Sequence, residues 1–461
     1  MLCITGRKVS SRNNKKRVAI VIESLDVGGA EMDIVRNAPL INGENFEVMV
    51  ITFSHPGVLA PRLMNHGISV ISPVSVSDPK VSSTTGYSTG LWYKRLKVYQ
   101  GISYIFSFGL VILLRCRKAI RRILLETRLK IFFRSWLIPF IRLFFFPVFL
   151  NRDEFVIIRF IYRILRKQKV DIAHFVLPNA YYYGIMACIF LPKCRCVMSR
   201  LSLNYYHKKF PFLGWMERNV LHRLVHVAIG NSKAILRELT SEGISEKKLA
   251  LLYNGIDYRS FEITAKEKQQ CRKEYELEND QFVMTSIGNL HTYKGHSDLI
   301  KACALVSKRM PIDWRLLIAG RDQEGNKAKY EDLTKSLGLE KNVKFLGYCE
   351  NVAHLLGTSN LHIHPSHHEG LPNSVLEAMA MSLPVIGTNV GGLPEQIEHG
   401  ITGLIVPPQD PPALAQAILL LVNDADKRAQ MGTEGAKRVR ALFSIERSVS
   451  LYEAIYRRLS S

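Results

Sequence analysis

The chain has 461 residues, 47% of them hydrophobic, with 62 Lys and Arg against 40 Asp and Glu, a formal net charge of +22. That length exceeds one ordinary domain, so two large domains with packed cores are expected. The eight cysteines are scattered, with CRC at 194–196 the one close pair; this spacing excludes a cysteine metal or redox motif and fits a reducing compartment.

The first residues are basic (GRKVSSRNNKKR), and the apolar run VAIVI that follows is far too short for a signal peptide. It reads as a first buried strand, followed by a glycine turn and a helix in ESLDVGGAEMDIVRNAPL. FEVMVITF and ISVISPV continue as strands. Then the composition changes. Between Leu91 and Val170 there are 18 Lys and Arg against 3 acids, interleaved with Phe, Ile, Leu and Trp. Neither SYIFSFGLVILL (103–114) nor IFFRSWLIPFIRLFFFPVFL (131–150) is a good spanning helix, because charges follow or interrupt each run. Basic residues among bulky apolar ones resemble helices lying on anionic lipid. A helical insertion packed on its own domain is the alternative. The segment is too apolar for a nucleic-acid surface.

VDIAHFVL, CVMSRLS and HVAIGNS complete the first half. A polar, turn-prone stretch then reads as a linker, and the strand–helix rhythm restarts at FVMTSIGNL, WRLLIAGRD, VKFLGYC, LHIHPS, LPVIGT and GLIVPP. The expected fold is therefore α/β, with two Rossmann-like domains of parallel sheet facing across a cleft. The boundaries read as 16–250 for the first domain, with the basic, apolar helical insertion at about 91–170. A linker follows at 251–280, then a second domain at 281–443 and an amphipathic C-terminal helix at 444–461.

In HHEGLPNSVLEAMAMSLPVI (367–386), Gly370 and Pro372 mark a turn, and apolar residues recur at helical spacing from Asn373, with Asn373 or Ser374 as the cap. Glu369 then sits in the loop after a strand, and Glu377 about one turn into the next helix. Free N–H groups at a helix start bind anions, and carboxylates beside them suit hydroxyls. Phosphate plus polyol is the indicated ligand.

IGNLHTYKGH (287–296), EGLPNSVLE (369–377) and VGGLPE (390–395) stand in order, with GGAE (28–31), NSKA (231–234) and NGID (254–257) before them. This set resembles the retaining glycosyltransferases of family 4, which have the GT-B fold and a Glu-x7-Glu motif. The resemblance implies transfer of a sugar from a UDP- or GDP-linked donor, with no cofactor or metal. By the same resemblance Lys294 would neutralise the donor diphosphate, and Glu377 would hold the ribose. Glu369 would face the sugar, with Gly370, Leu371, Pro372 and Asn373 holding sugar and phosphate through their backbone. Gly28 and Gly29 would allow close approach of the first-domain loop. The family's second cation, an arginine, is here Asn289; Arg321 or Arg200 could replace it. Arg200, where many members carry histidine, joins Lys294 and Glu369 as the expected catalytic set, and His174 is a further substrate contact or else a satisfied core imidazole.

The histidines His362, His364, His367 and His368 match no usual zinc spacing. Glu395 reads as a first-turn carboxylate of its own helix. Implied partners are a nucleotide sugar, a glycan or glycolipid acceptor and an anionic membrane surface, without nucleic acid. A peripheral place on the cytoplasmic face of a membrane, in polysaccharide or lipopolysaccharide biosynthesis, follows as an expectation. The alternatives are a nucleotide-sugar epimerase on the same fold and a catalytically degenerate scaffold.

Overall fold

The structure is a computed structural model that describes residues 15–73, 152–204, 207 and 211–460. The first sheet contains β1 (Lys16–Ile22), β2 (Phe46–Thr52), β3 (Ser69–Ile71), β4 (Ile172–Val176), β5 (Arg195–Arg200), β6 (Val227–Gly230) and β7 (Leu249–Leu251). They run in the order β3-β2-β1-β4-β5-β6-β7, every pair parallel. The second sheet contains β8 (Phe282–Ile287), β9 (Trp314–Ala319), β10 (Val343–Gly347), β11 (Leu361–His364), β12 (Val385–Thr388) and β13 (Gly403–Val406). It is also parallel, in the order β10-β9-β8-β11-β12-β13. Helices cover both faces of such sheets, so central strands such as β4 are buried throughout and read as continuous apolar runs. Every expected strand is present. β7 was not foreseen, because three half-buried edge residues carry no periodicity.

The helices used below are α1 (Gly29–Ile41), α2 (Arg152–Lys167), α3 (Pro178–Cys188), α4 (Lys233–Ser241), α5 (Ala265–Glu274), α6 (His296–Val306), α7 (Asn373–Ala380), α8 (Pro411–Asn423), α9 (Ala425–Leu442) and α10 (Ile445–Ser460). Two of them correct the expected boundaries. α2 falls inside the stretch read as an insertion, yet Ile158, Ile161, Ile164 and Leu165 belong to the first-domain core, where α2 packs on α3. It is the helix that leads into β4. The remainder of that stretch, 91–151, lies outside the described residues. α5 falls inside the expected linker and packs on the second domain. A reciprocal Thr264–Glu267 capping box starts it, and Arg272 donates to the carbonyls of Thr358 at 3.1 Å and Gln281 at 3.0 Å. A guanidinium rather than an apolar stripe anchors this helix, so hydrophobic periodicity could not reveal it.

The chain crosses between domains twice, and the crossings lie side by side. Ile256 N–H donates to Phe443 O at 2.8 Å, and Ile445 N–H donates back to Ile256 O at 3.0 Å. After the second crossing α10 packs on α1 of the first domain. Tyr452 Oη donates to Asp33 at 3.2 Å, and Tyr456 Oη bonds His174 Nδ1 at 2.7 Å. Nε2 of His174 meets Ser199 Oγ at 2.7 Å. His174 is therefore a satisfied core imidazole, 2% exposed, and burial drives its pKa down to about 3. This corrects its expected place at the substrate: the strand-end position is right, but α10 covers the side chain. Among the described residues, no helix is long and apolar enough to cross a membrane.

Tyr456→Phe should leave the buried Nδ1 of His174 without its partner and cost about 1–3 kcal/mol. Chemical denaturation of the variant beside the wild type measures this loss.

Candidate functional site

In each sheet the strand order reverses beside the first strand, between β1 and β4 and between β8 and β11. Ligands of open parallel sheets settle outside the carboxyl ends of strands at such reversals. The loops leaving β8 and β11 carry Lys294 and Glu369, and the loop leaving β1 ends at Gly28, with Gly29 opening α1.

The Lys294 and Glu369 loops are fastened to each other. His367 N–H donates to Tyr293 O at 2.7 Å, and the rings of Tyr293 and His368 stack at 4.2 Å. Gly295 has φ +72°, and a Cβ there would come within 2.0 Å of Pro365 O. Glycine is thus required both for its conformation and for the close approach of the two loops. The result is an ion pair, Lys294 Nζ to Glu369 Oε1 at 2.5 Å, with the side chains 15% and 10% exposed. The same oxygen receives His364 Nε2 at 2.8 Å and Ser366 Oγ at 2.7 Å. Burial would raise the Glu369 carboxyl, but the Lys294 charge and the hydrogen bonds from His364 and Lys294 outweigh it and hold it well below the ordinary range. Burial likewise works against the Lys294 ammonium, yet Glu369 raises it overall. Both groups are therefore charged at neutral pH.

Glu377 lies in α7 and is 7% exposed. Its Oε1 accepts from Arg36 Nη2 at 2.7 Å, and Arg36 belongs to α1 of the opposite domain. One turn earlier, Asn373 Nδ2 donates to Gly29 O at 3.4 Å. Gly28 lies under the Glu31 carboxylate, which a Cβ would meet at 2.2 Å. α7 starts with Pro372 in the cap position and no side-chain cap, rather than with Asn373 or Ser374 as cap. Gly370, Leu371 and Pro372 give their carbonyls to Gly392 N–H, Asn254 and Gln396. No described residue accepts from the N–H groups of Gly370 and Leu371, which leaves those donors for a ligand.

The remaining motifs meet at the same seam. Asn231 donates to Asn254 at 3.1 Å, and Asn254 donates to Asn373 Oδ1 at 2.8 Å. Glu395 does not serve its own helix. Its carboxylate accepts from Lys233 N–H at 2.9 Å and Ala234 N–H at 3.1 Å, capping α4 of the first domain. A Cβ on Gly370 would reach within 2.0 Å of Leu201 O, so this second-domain loop lies directly against the end of β5.

Of the two expected cations, one is committed elsewhere and the other lies beside the Lys294 loop. Arg200 is 6% exposed and committed to Glu242 at 2.7 Å and Glu217 at 2.9 Å. Burial opposes the Glu242 charge, but His222 and Arg200 bring its pKa down to about 2. Arg200 thus neutralises buried acids of the first domain and is not an available catalytic cation; its partners are far off in sequence and carry no pattern. Arg321 stacks over the Tyr348 ring at 4.4 Å at the ends of β9 and β10. Asn289 holds that loop through Arg321 N–H at 3.2 Å. The four histidines disperse: His362 lies buried in β11, His364 serves Glu369, His367 meets Asp298 at 2.7 Å and His368 stacks on Tyr293. Arg36, Ser366 and Tyr293 were missed. Arg36 was legible in part, since it follows Gly29 by seven residues, two turns along one helix face.

Comparison with known proteins agrees with this arrangement in both halves. The pattern described as glycosyl transferases group 1 matches residues 267–438, and that of glycosyltransferase family 4 matches residues 123–259. The two halves together match glycosyltransferases of the family-4 type. It is 34% identical over 210 residues to an N-acetyl-alpha-D-glucosaminyl L-malate synthase of Bacillus anthracis, covering 46% of this chain and 54% of that one. It is 31% identical over 223 residues to a capsular polysaccharide biosynthesis glycosyltransferase, CapM, of Staphylococcus aureus, covering 47% and 57%. The chain thus spans about half the length of these curated relatives. In fold it is similar to Anabaena Alr3699/HepE in complex with UDP and glucose, with a TM-score of 0.70 at 18% identity, covering 96% of this chain and 99% of that one.

Glu369→Gln should lower stability by about 3–5 kcal/mol at pH 7, because Lys294 would remain buried without its counter-charge. The folded carboxyl is depressed, so its contribution is complete above the unfolded value near 4.5 and fades as pH falls from there toward the folded one. Denaturation from pH 7 to pH 3 should show the wild-type advantage narrowing only below about 4.5.

Proposed function

We propose that the chain is a retaining glycosyltransferase that moves a sugar from a UDP- or GDP-linked donor to a glycan or glycolipid acceptor. The observation that carries this is the Lys294–Glu369 pair at 2.5 Å between two loops at the strand reversal. It stands beside a helix start whose preceding loop has open N–H groups. An ammonium next to such donors suits a diphosphate, and it would offset the charge that grows on the leaving group as the glycosidic bond lengthens. Glu377, with one oxygen on Arg36, keeps the other for the ribose hydroxyls.

Glu369 is a poor base and a poor nucleophile, because its charge is stabilised by three donors on one oxygen. Its remaining role is electrostatic, toward the positive charge that develops on the sugar ring. The acceptor oxygen then attacks on the face the diphosphate leaves, its proton passing to a phosphate oxygen, and the anomeric configuration is kept. No group on the protein needs to form a covalent intermediate.

The acceptor side supports a place at a lipid surface. The exposed face of α2 presents Arg159, Arg163, Arg166 and Lys167, with Phe155 and Val156 45% and 57% exposed at its start. Cations beside exposed apolar side chains suit anionic headgroups. The adjoining sequence continues the same composition, so the proposed location is the cytoplasmic face of a membrane and the acceptor is lipid-linked or a growing polysaccharide.

A thermal-shift screen with UDP, GDP and their sugars tests the donor. One nucleotide should raise the melting temperature, by about 2.7 kcal/mol of stabilisation at a concentration of 100 Kd. Lys294→Ala should abolish the shift and the turnover; an unchanged shift would reject the role of Lys294. Co-sedimentation with phosphatidylglycerol vesicles tests the surface: binding should weaken as salt rises, and equal recovery in the supernatant with and without vesicles would reject it.

A further inference from the structure

The donor-side carboxylate Glu377 is not held by its own domain. Its Oε1 bonds Arg36 of α1, in the domain expected to hold the acceptor, at 2.7 Å with the side chains 21% and 10% exposed. We infer that Arg36 is a positioning residue of the donor site, supplied across the cleft, so that the nucleotide-binding side is complete only while the two domains are closed.

Three observations carry this. First, α1 is aimed at the site from its start: Gly29 O accepts from Asn373, and Arg36 follows two turns later on the same face. Second, the bond is made on one oxygen. Oε2 of Glu377 has no hydrogen-bond partner among the described residues, so Arg36 fixes the rotamer while leaving an acceptor for a hydroxyl pair. Third, another ion pair between the two domains, Arg62 with Glu350, is 3.7 Å long with the side chains 53% and 80% exposed. An exposed pair of that length contributes little, whereas a half-buried pair at 2.7 Å has lost most of its water, and removing one partner strands the other charge. Closure and nucleotide affinity are thus tied through one guanidinium.

This inference rests on the sugar-donor reading, and the test separates the two. Binding of UDP and GDP is measured by calorimetry for the wild type, R36A, R36K and K294A, with small-angle scattering on the same samples. R36A should bind at least about tenfold more weakly, with R36K recovering part of that loss, and R36A should be more extended in solution than the wild type. K294A should lose affinity without becoming extended, since its contact lies within one domain. A merely structural arginine would lower the melting temperature of R36A and leave its nucleotide affinity at the wild-type value; that result overturns the assignment of Arg36 alone. A wild type that binds neither nucleotide overturns the donor reading and the donor-site role of Arg36 together, whatever the scattering shows.

Discussion

The ion pair between Lys294 and Glu369 sets the terms for the rest of the molecule. Two opposite charges, each almost withdrawn from water, are stable together only at close range and with hydrogen bonds on the remaining positions. The chain meets that demand with loops rather than helices. A backbone bond between Tyr293 and His367, a left-handed glycine against Pro365, and donors from His364 and Ser366 all act on one carboxylate. The pair therefore holds the ends of β8 and β11 at a fixed separation, the place where a parallel sheet opens a crevice.

Around this pair, the described residues of the second domain reach the first through polar contacts. Asn373 touches the start of α1, Glu377 engages Arg36, and Glu395 caps α4. Contacts of this type are directional, so they fix how the two domains meet. The cores on either side, by contrast, are continuous clusters of buried aliphatic and aromatic side chains. Stability resides within domains and geometry resides between them.

The fold was largely legible because parallel strands buried on both faces leave continuous apolar runs, and twelve of them stand in the sequence between glycine turns. The site was legible where chemistry was local. Lys294, Glu369 and Glu377 lie in loops and a helix start whose form follows from nearby glycines and prolines. Side-chain destinations were not legible. Arg200 ends its strand as expected but turns to Glu217 and Glu242, and His174 is covered by a helix nearly three hundred residues further along. Glu395 acts on a helix in the other domain rather than on its own. Such partners are fixed by tertiary placement, and neither spacing nor propensity encodes them.

The paired crossings between the domains have a mechanical meaning. A single connecting strand would let one domain swivel and tumble against the other. Here the strands at Ile256 and Ile445 are bonded to each other, and α10 then anchors the second strand onto α1. A body hung from two adjacent pins keeps one easy movement, a swing about the line joining them. The lips of the crevice can part and meet again along the same arc, so each return brings Glu377 back to Arg36 in register.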